Sequence, residues 1–147
     1  MKIIIVGCGK VGATLAEQLS NEGNDIVIVD KDAEKVQDIS NACDIMGVVG
    51  SGSSHNVQLE AGIREANLLI AVTGSDELNL LCCLIAKKAG NGCQTIARVR
   101  NPEYSQEVRF IREELGMAMV INPELSTADE IMRVLVFPSA AKVEVFG

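Results

Sequence analysis

The sequence has one histidine, no Cys-x-x-Cys pair, no long apolar run and no excess of basic charge. Each shortage removes a class of function. His55 stands alone in a Gly/Ser-rich segment, so neither a base–nucleophile pair nor a histidine-rich metal centre is visible. The five cysteines, Cys8, Cys43, Cys82, Cys83 and Cys93, lack zinc-ligand spacing. Thirteen basic residues against 20 acidic ones give a formal net charge of −7. That balance argues against nucleic acid as the main partner and against a basic membrane-binding face. The apolar stretches fall far short of the roughly 20 residues that a spanning helix needs. The first apolar run is too short for a signal peptide. Together with an odd cysteine count, this predicts a cytoplasmic chain carrying free thiols.

What the chain does have is concentrated at its start. Nearly half of its 147 residues are hydrophobic, enough for a single domain with a real core. Ile3 to Val6 form a continuous apolar run, as a strand buried on both faces would. Gly7, Gly9 and Gly12 follow with G-x-G-x-x-G spacing. The first allows a tight turn, the second a close approach of the backbone to a pyrophosphate, and the third tight helix–strand packing. A helix is expected from about Lys10, its first N–H groups unpaired and its dipole favouring an anion. A second apolar run, Ile26 to Val29, ends in Asp30, about 20 residues beyond the glycines. A carboxylate there can hold both ribose hydroxyls of an adenosine. Strand, glycine turn, helix, strand and acid agree with one another, which a lone glycine motif does not.

Strand and helix patterns alternate to the end of the chain. Helices are expected over 33–43, 57–63, from the Ser75 cap to Ala89, over 104–115, and over 125–136 with Pro138 beyond. Strands are expected over 45–49, 68–72, 95–99 and 117–121. The pattern predicts an α/β fold, a doubly wound six-stranded parallel Rossmann sheet with a C-terminal crossover helix. Residues 1–136 would form the nucleotide-binding domain, and 137–147 a linker leading into a further lobe.

Ligands in such sheets bind at the carboxyl ends of the strands. Candidates there are Asp30 and Lys31, the Gly50–Ser53 segment with Ser51, Thr73 and Gly74, and Arg98 with Arg100. Arginine suits phosphate. Lys10, inside the glycine motif, could reach a terminal phosphate. Asp76, Glu77 and Glu124 also fit simple helix-start acids. Cys8 lies in the glycine turn, where a helix N-terminus can lower a thiol pKa; a small filler of the turn is the plainer reading. No residues remain for a second catalytic domain, so the nucleotide reads as a signal and the protein as no enzyme.

The stretches GCGKVGATLAEQL, VIVDKD, AVTGSDELNLL, IARVRNPEY and INPE resemble the KTN (RCK N-terminal) domain of Trk/Ktr-type potassium-uptake regulatory subunits, TrkA-like, over nearly the whole chain. The resemblance implies a cytoplasmic subunit, held at the inner face of the membrane by its potassium transporter or channel. Homodimers would assemble into tetrameric or octameric rings, the last helix crossing to a partner subunit. NAD(H) and/or ATP/ADP would occupy the cleft, and their exchange would gate transport. Gly7, Gly9, Lys10, Val11, Gly12 and Arg98 would face the phosphates. Asp30 and Lys31 would hold the adenosine, with Ser51 near the adenine. Thr73, Gly74 and Glu77 would line the cleft, and Glu124 would help bind a divalent or monovalent cation. Lys10 stands where the family commonly has Arg, and GSGSS replaces the commoner G-D-x-[ST]. Two rival functions remain on the residues alone: a small NAD-dependent oxidoreductase, and an NADH/NAD-sensing module for another target. Asp30 would favour NAD over NADP in the first.

Overall fold

The computed structural model describes residues 1–116 and 119–121. The apolar runs become parallel strands: β1 (Lys2–Val6), β2 (Asp25–Asp30), β3 (Met46–Val49), β4 (Leu68–Ala71) and β5 (Gln94–Arg98), with a short β6 (Met119–Ile121) at one edge. Between them run α1 (Lys10–Asn21), α2 (Ala33–Cys43), α3 (His55–Glu60), α4 (Asp76–Ala89), α5 (Pro102–Gln106) and α6 (Val108–Leu115). The strand order is β3-β2-β1-β4-β5-β6, and every neighbouring pair is parallel. The chain winds outward from β1 to β3, then crosses back to β4 on the other side of β1. The reversal puts a crevice at the carboxyl ends of β1 and β4.

The uninterrupted apolar strands are explained by two cores. Ile4, Val6, Val27, Val29, Leu69 and Ala71 face one way, against Cys82, Cys83 and Ala86 of α4 and Ile111 of α6. Ile3, Ile5, Ile26, Ile28, Leu68 and Ile70 face the other, against Leu15, Ala16 and Leu19 of α1 and Val36 of α2. Period-two strands covered on both faces need apolar residues at every position. Fully burying each of these isoleucines contributes about 1.5–3 kcal/mol.

The doubly wound parallel sheet holds as expected; α2 and α4 keep their expected bounds, while β3, β4 and β5 shift at their ends by one residue. The Ser75 hydroxyl caps α4 by accepting from Leu78 N at 3.2 Å, and Gly90 N–H closes its end on Ala86 O at 2.7 Å. The expected helix over 104–115 is different. Asn101 caps Glu103 N, Pro102 occupies the first turn, and the helix starts two residues early. Glu107 N–H then bonds Tyr104 O, three residues back, and the helix breaks into α5 and α6. The third helix starts at His55, not Val57, because Ser54 caps it. The expected crossover helix over 125–136, the 137–147 segment and Glu124 lie outside the described residues.

Candidate functional site

The crevice is a cleft of about 400 Å³, lined by the ends of β1, β2 and β4, the segment after β3, and Arg98. Its size suits a small organic ligand. Gly7 and Gly9 form one lip. Gly7 adopts φ +116°, and a Cβ there would lie 2.9 Å from Val72 O. A Cβ on Gly12 would collide with Gly7 O. The turn therefore needs both glycines to bring α1 against the sheet. Side chains cap α2, α3, α4 and α5, but none caps α1, whose N-cap is Gly9. Its first amides remain available to a ligand.

Asp30 is already engaged. Its Oδ2 accepts from Cys8 N at 2.7 Å and its Oδ1 from Asp32 N at 2.9 Å. The carboxylate thus ties the glycine turn to the end of β2, and each oxygen keeps a free lone pair for a further donor. Lys31 and Lys35 line the cleft beside it.

The opposite wall is held by Asn79, which is fully buried in α4. Its Oδ1 accepts from Thr73 N at 2.8 Å and from Thr73 Oγ1 at 2.6 Å. Its Nδ2 donates to Thr73 O at 3.2 Å and to Arg98 O at 2.9 Å. The Arg98 guanidinium donates to Thr73 O at 2.8 Å, while its buried Nε has no partner among the described residues. Burial and the neighbouring Arg100 push the Arg98 pKa down, and Asp76 acts in the opposite sense. Asp76 itself accepts from Arg100 N and Asn101 N, at 3.1 and 2.7 Å. One helix turn thus locks the segments that follow β4 and β5.

Eight of the expected site residues meet in this cleft: Gly7, Gly9, Asp30, Lys31, Ser51, Thr73, Gly74 and Arg98. Four do not line it. Lys10 is exposed outside the cleft. Val11 packs its side chain on the α1 core, leaving only its amide near the turn. Gly12 acts by close packing on Gly7. Glu77 is exposed in the first turn of α4, whose buried acid is Asp76. Lys35 and Gln58 escaped the sequence reading; Lys35, like the expected Lys31, is exposed at the rim, and only the register of α2 brings it there. The Cys8 thiol is buried, and burial together with Asp30 pushes its pKa up to about 12, opposite to an activated thiolate.

The model of the TrkA-N domain family matches residues 3–123. The chain belongs to that family. Among curated relatives, the Trk system potassium uptake protein TrkA of Haemophilus influenzae is 42% identical over all of this chain and 32% of its own length. The TrkA homolog 1 of Methanosarcina mazei is 40% identical over all of this chain and 37% of its own length. The TrkA-N chain thus spans about a third of the length of these relatives.

Solved structures show the same fold. The TrkA-N domain of the inner membrane protein ybaL from Escherichia coli superposes with a TM-score of 0.73 at 22% identity, over 92% of this chain and 94% of that one. The GsuK channel bound to NAD gives 0.68 at 23%, over 81% of this chain and 21% of the channel. The Shewanella denitrificans Kef C-terminal domain, in its AMP-bound form, gives 0.66 at 17%, over 99% and 84%. Among the described residues of this TrkA-N domain no helix is long and apolar enough to cross a membrane.

Proposed function

We propose that this domain is the nucleotide sensor of a potassium-uptake regulatory subunit. One observation carries the reading. In a chain of net charge −7, the cleft gathers Lys31, Lys35 and Arg98 around one carboxylate, beside a helix start that no side chain caps. That arrangement suits an anion at the glycine turn and a hydroxylated sugar at Asp30. The adenosine diphosphate part of NAD(H) or of ATP/ADP offers both. Gly7, Gly9 and the amides of Lys10, Val11 and Gly12 would surround the pyrophosphate. Asp30 and Lys31 would hold the ribose, Ser51 would lie toward the base, and Thr73, Gly74 and Arg98 would close the far side. Relatives named for potassium uptake, and fold neighbours solved with NAD and AMP, support this choice.

The partner would be a membrane potassium transporter or channel, met at its cytoplasmic face by a homodimer-based ring. Glu124 is the sequence's candidate for a cation beside the nucleotide. Gating requires two ring shapes and a ligand that binds one of them better; equal affinity would shift nothing. Coupling of this kind typically amounts to about 1–3 kcal/mol. The test is potassium uptake by the regulatory subunit carrying this domain, with ATP exchanged for ADP or NADH and with Asp30→Ala as control. A response to exchange that vanishes in the variant supports the proposal. An identical response in parent and variant would refute it.

A further inference from the structure

The segment between β3 and α3 forms the wall of the cleft beyond Asp30, with Gly50, Ser51 and Gly52 all lining it. Short polar segments of this kind usually move freely. This one is tied down by a residue outside the cleft. Gln58, on α3, is 1% exposed, and its Nε2 donates to Gly52 O at 2.7 Å and to Cys82 O at 3.0 Å. Its Oε1 is buried with no partner among the described residues. A polar side chain left half-satisfied in a core costs stability, and here the two donated bonds tie the loop after β3 to α4. Gly52 fits the same picture. A Cβ there would collide with Val6 Cγ1 and lie 3.1 Å from Cys82 Sγ, so the backbone lies directly on the end of β1 and on α4.

We propose that Gln58 is a positioning residue for base recognition: it fastens the Gly50–Ser54 wall to α4 and so sets where the adenine of the nucleotide lies. The proposal rests on the nucleotide reading above. The strand order supplies the direction. With the pyrophosphate at the turn after β1 and the ribose at the end of β2, the base extends toward β3. The anchor on α4 is rigid, because Cys82 follows Asn79 by three residues on the same helix face. Asn79 fixes Thr73 and Arg98, so both walls of the cleft share one strut.

The test uses Gln58→Met and Gln58→Leu, which keep volume and remove the unsatisfied oxygen. Both also strip the donor from Gly52 O and Cys82 O, so both should melt a few degrees below the parent and stay folded at the titration temperature. Calorimetric titration with ADP, GDP and inorganic pyrophosphate is the readout. Both variants should lose roughly tenfold in ADP affinity and most of the ADP-over-GDP preference, while pyrophosphate binding stays unchanged. Equal losses for all three ligands, or no loss for ADP, would overturn the proposal. Hydrogen exchange on the unmutated domain is the second arm: ADP should protect residues 50–54 and pyrophosphate should not, and absence of protection by ADP would also overturn it. A parent that binds pyrophosphate but no nucleotide, or nothing at all, defeats the nucleotide reading, and this proposal with it. A parent that binds ADP alongside indifferent variants defeats this proposal alone.

Discussion

Replacing Asn79 by alanine tests the internal architecture of the site. The side chain is fully buried and makes four hydrogen bonds, three to Thr73 and one to Arg98 O. Their losses are unequal. Thr73 O keeps the Arg98 guanidinium at 2.8 Å, and Thr73 Oγ1 keeps Ser75 O at 3.3 Å. Thr73 N and Arg98 O lose the carboxamide outright. At about 1–3 kcal/mol per orphaned group, the two together cost about 3 kcal/mol. For a domain of this size that lowers Tm by about 10 °C. Urea and thermal melts followed by circular dichroism measure it. Asn79→Asp is the companion variant. It keeps an acceptor for Thr73 N but turns a carboxylate toward two carbonyls, and should be at least as unstable. A drop of less than about 2 °C for Asn79→Ala would show that Asn79 does not hold the two segments together.

Three further outcomes follow from the same geometry. Gly12→Ala places a methyl on Gly7 O and should both destabilise the domain and weaken anion binding at the turn, measured by melting and pyrophosphate titration. Asp30→Ala removes the acceptor of Cys8 N and Asp32 N, so it should cost about 1–2 kcal/mol in a urea melt even without ligand. The buried thiols make the domain sensitive to alkali. Burial raises Cys8 and Cys82 from the ordinary 9.0 to about 12, and Cys93 to about 11. Between pH 9 and 12 the unfolded chain therefore binds fewer protons than the folded one. The stability these thiols contribute is fully present below pH 9 and declines through that window, which melts at stepped pH would show. A flat profile there would contradict it.

The fold was readable where one residue type does one job. Ile3 to Val6 and Ile26 to Val29 announce doubly covered strands because no polar residue interrupts them. Ser75 and Gly90 mark α4 because a cap and a stop act locally. What escaped depends on distant partners. Gln58 lies on a short helix with no local signal to mark it; only the fold brings Gly52 O and Cys82 O to its amide. Asn79 falls within the helix expected after Ser75, but its hold on Arg98 O spans nineteen positions of sequence. Asp30 was expected to offer its oxygens to a sugar, and the structure adds a second task, bracing the Cys8 amide. The break at Glu107 was hidden because Tyr104 and Ile111 still pack on one core despite it.

An adenosine diphosphate group should dock between the glycine turn and Asp30. Calorimetric titration of the purified domain with NAD, NADH, ADP and ATP, with and without a divalent cation, tests it most directly. At least one of them should bind saturably with a matching rise in Tm, and binding should be weaker in Asp30→Ala. A well-folded domain showing neither heat nor a Tm shift with any of the four at roughly millimolar concentration would contradict it.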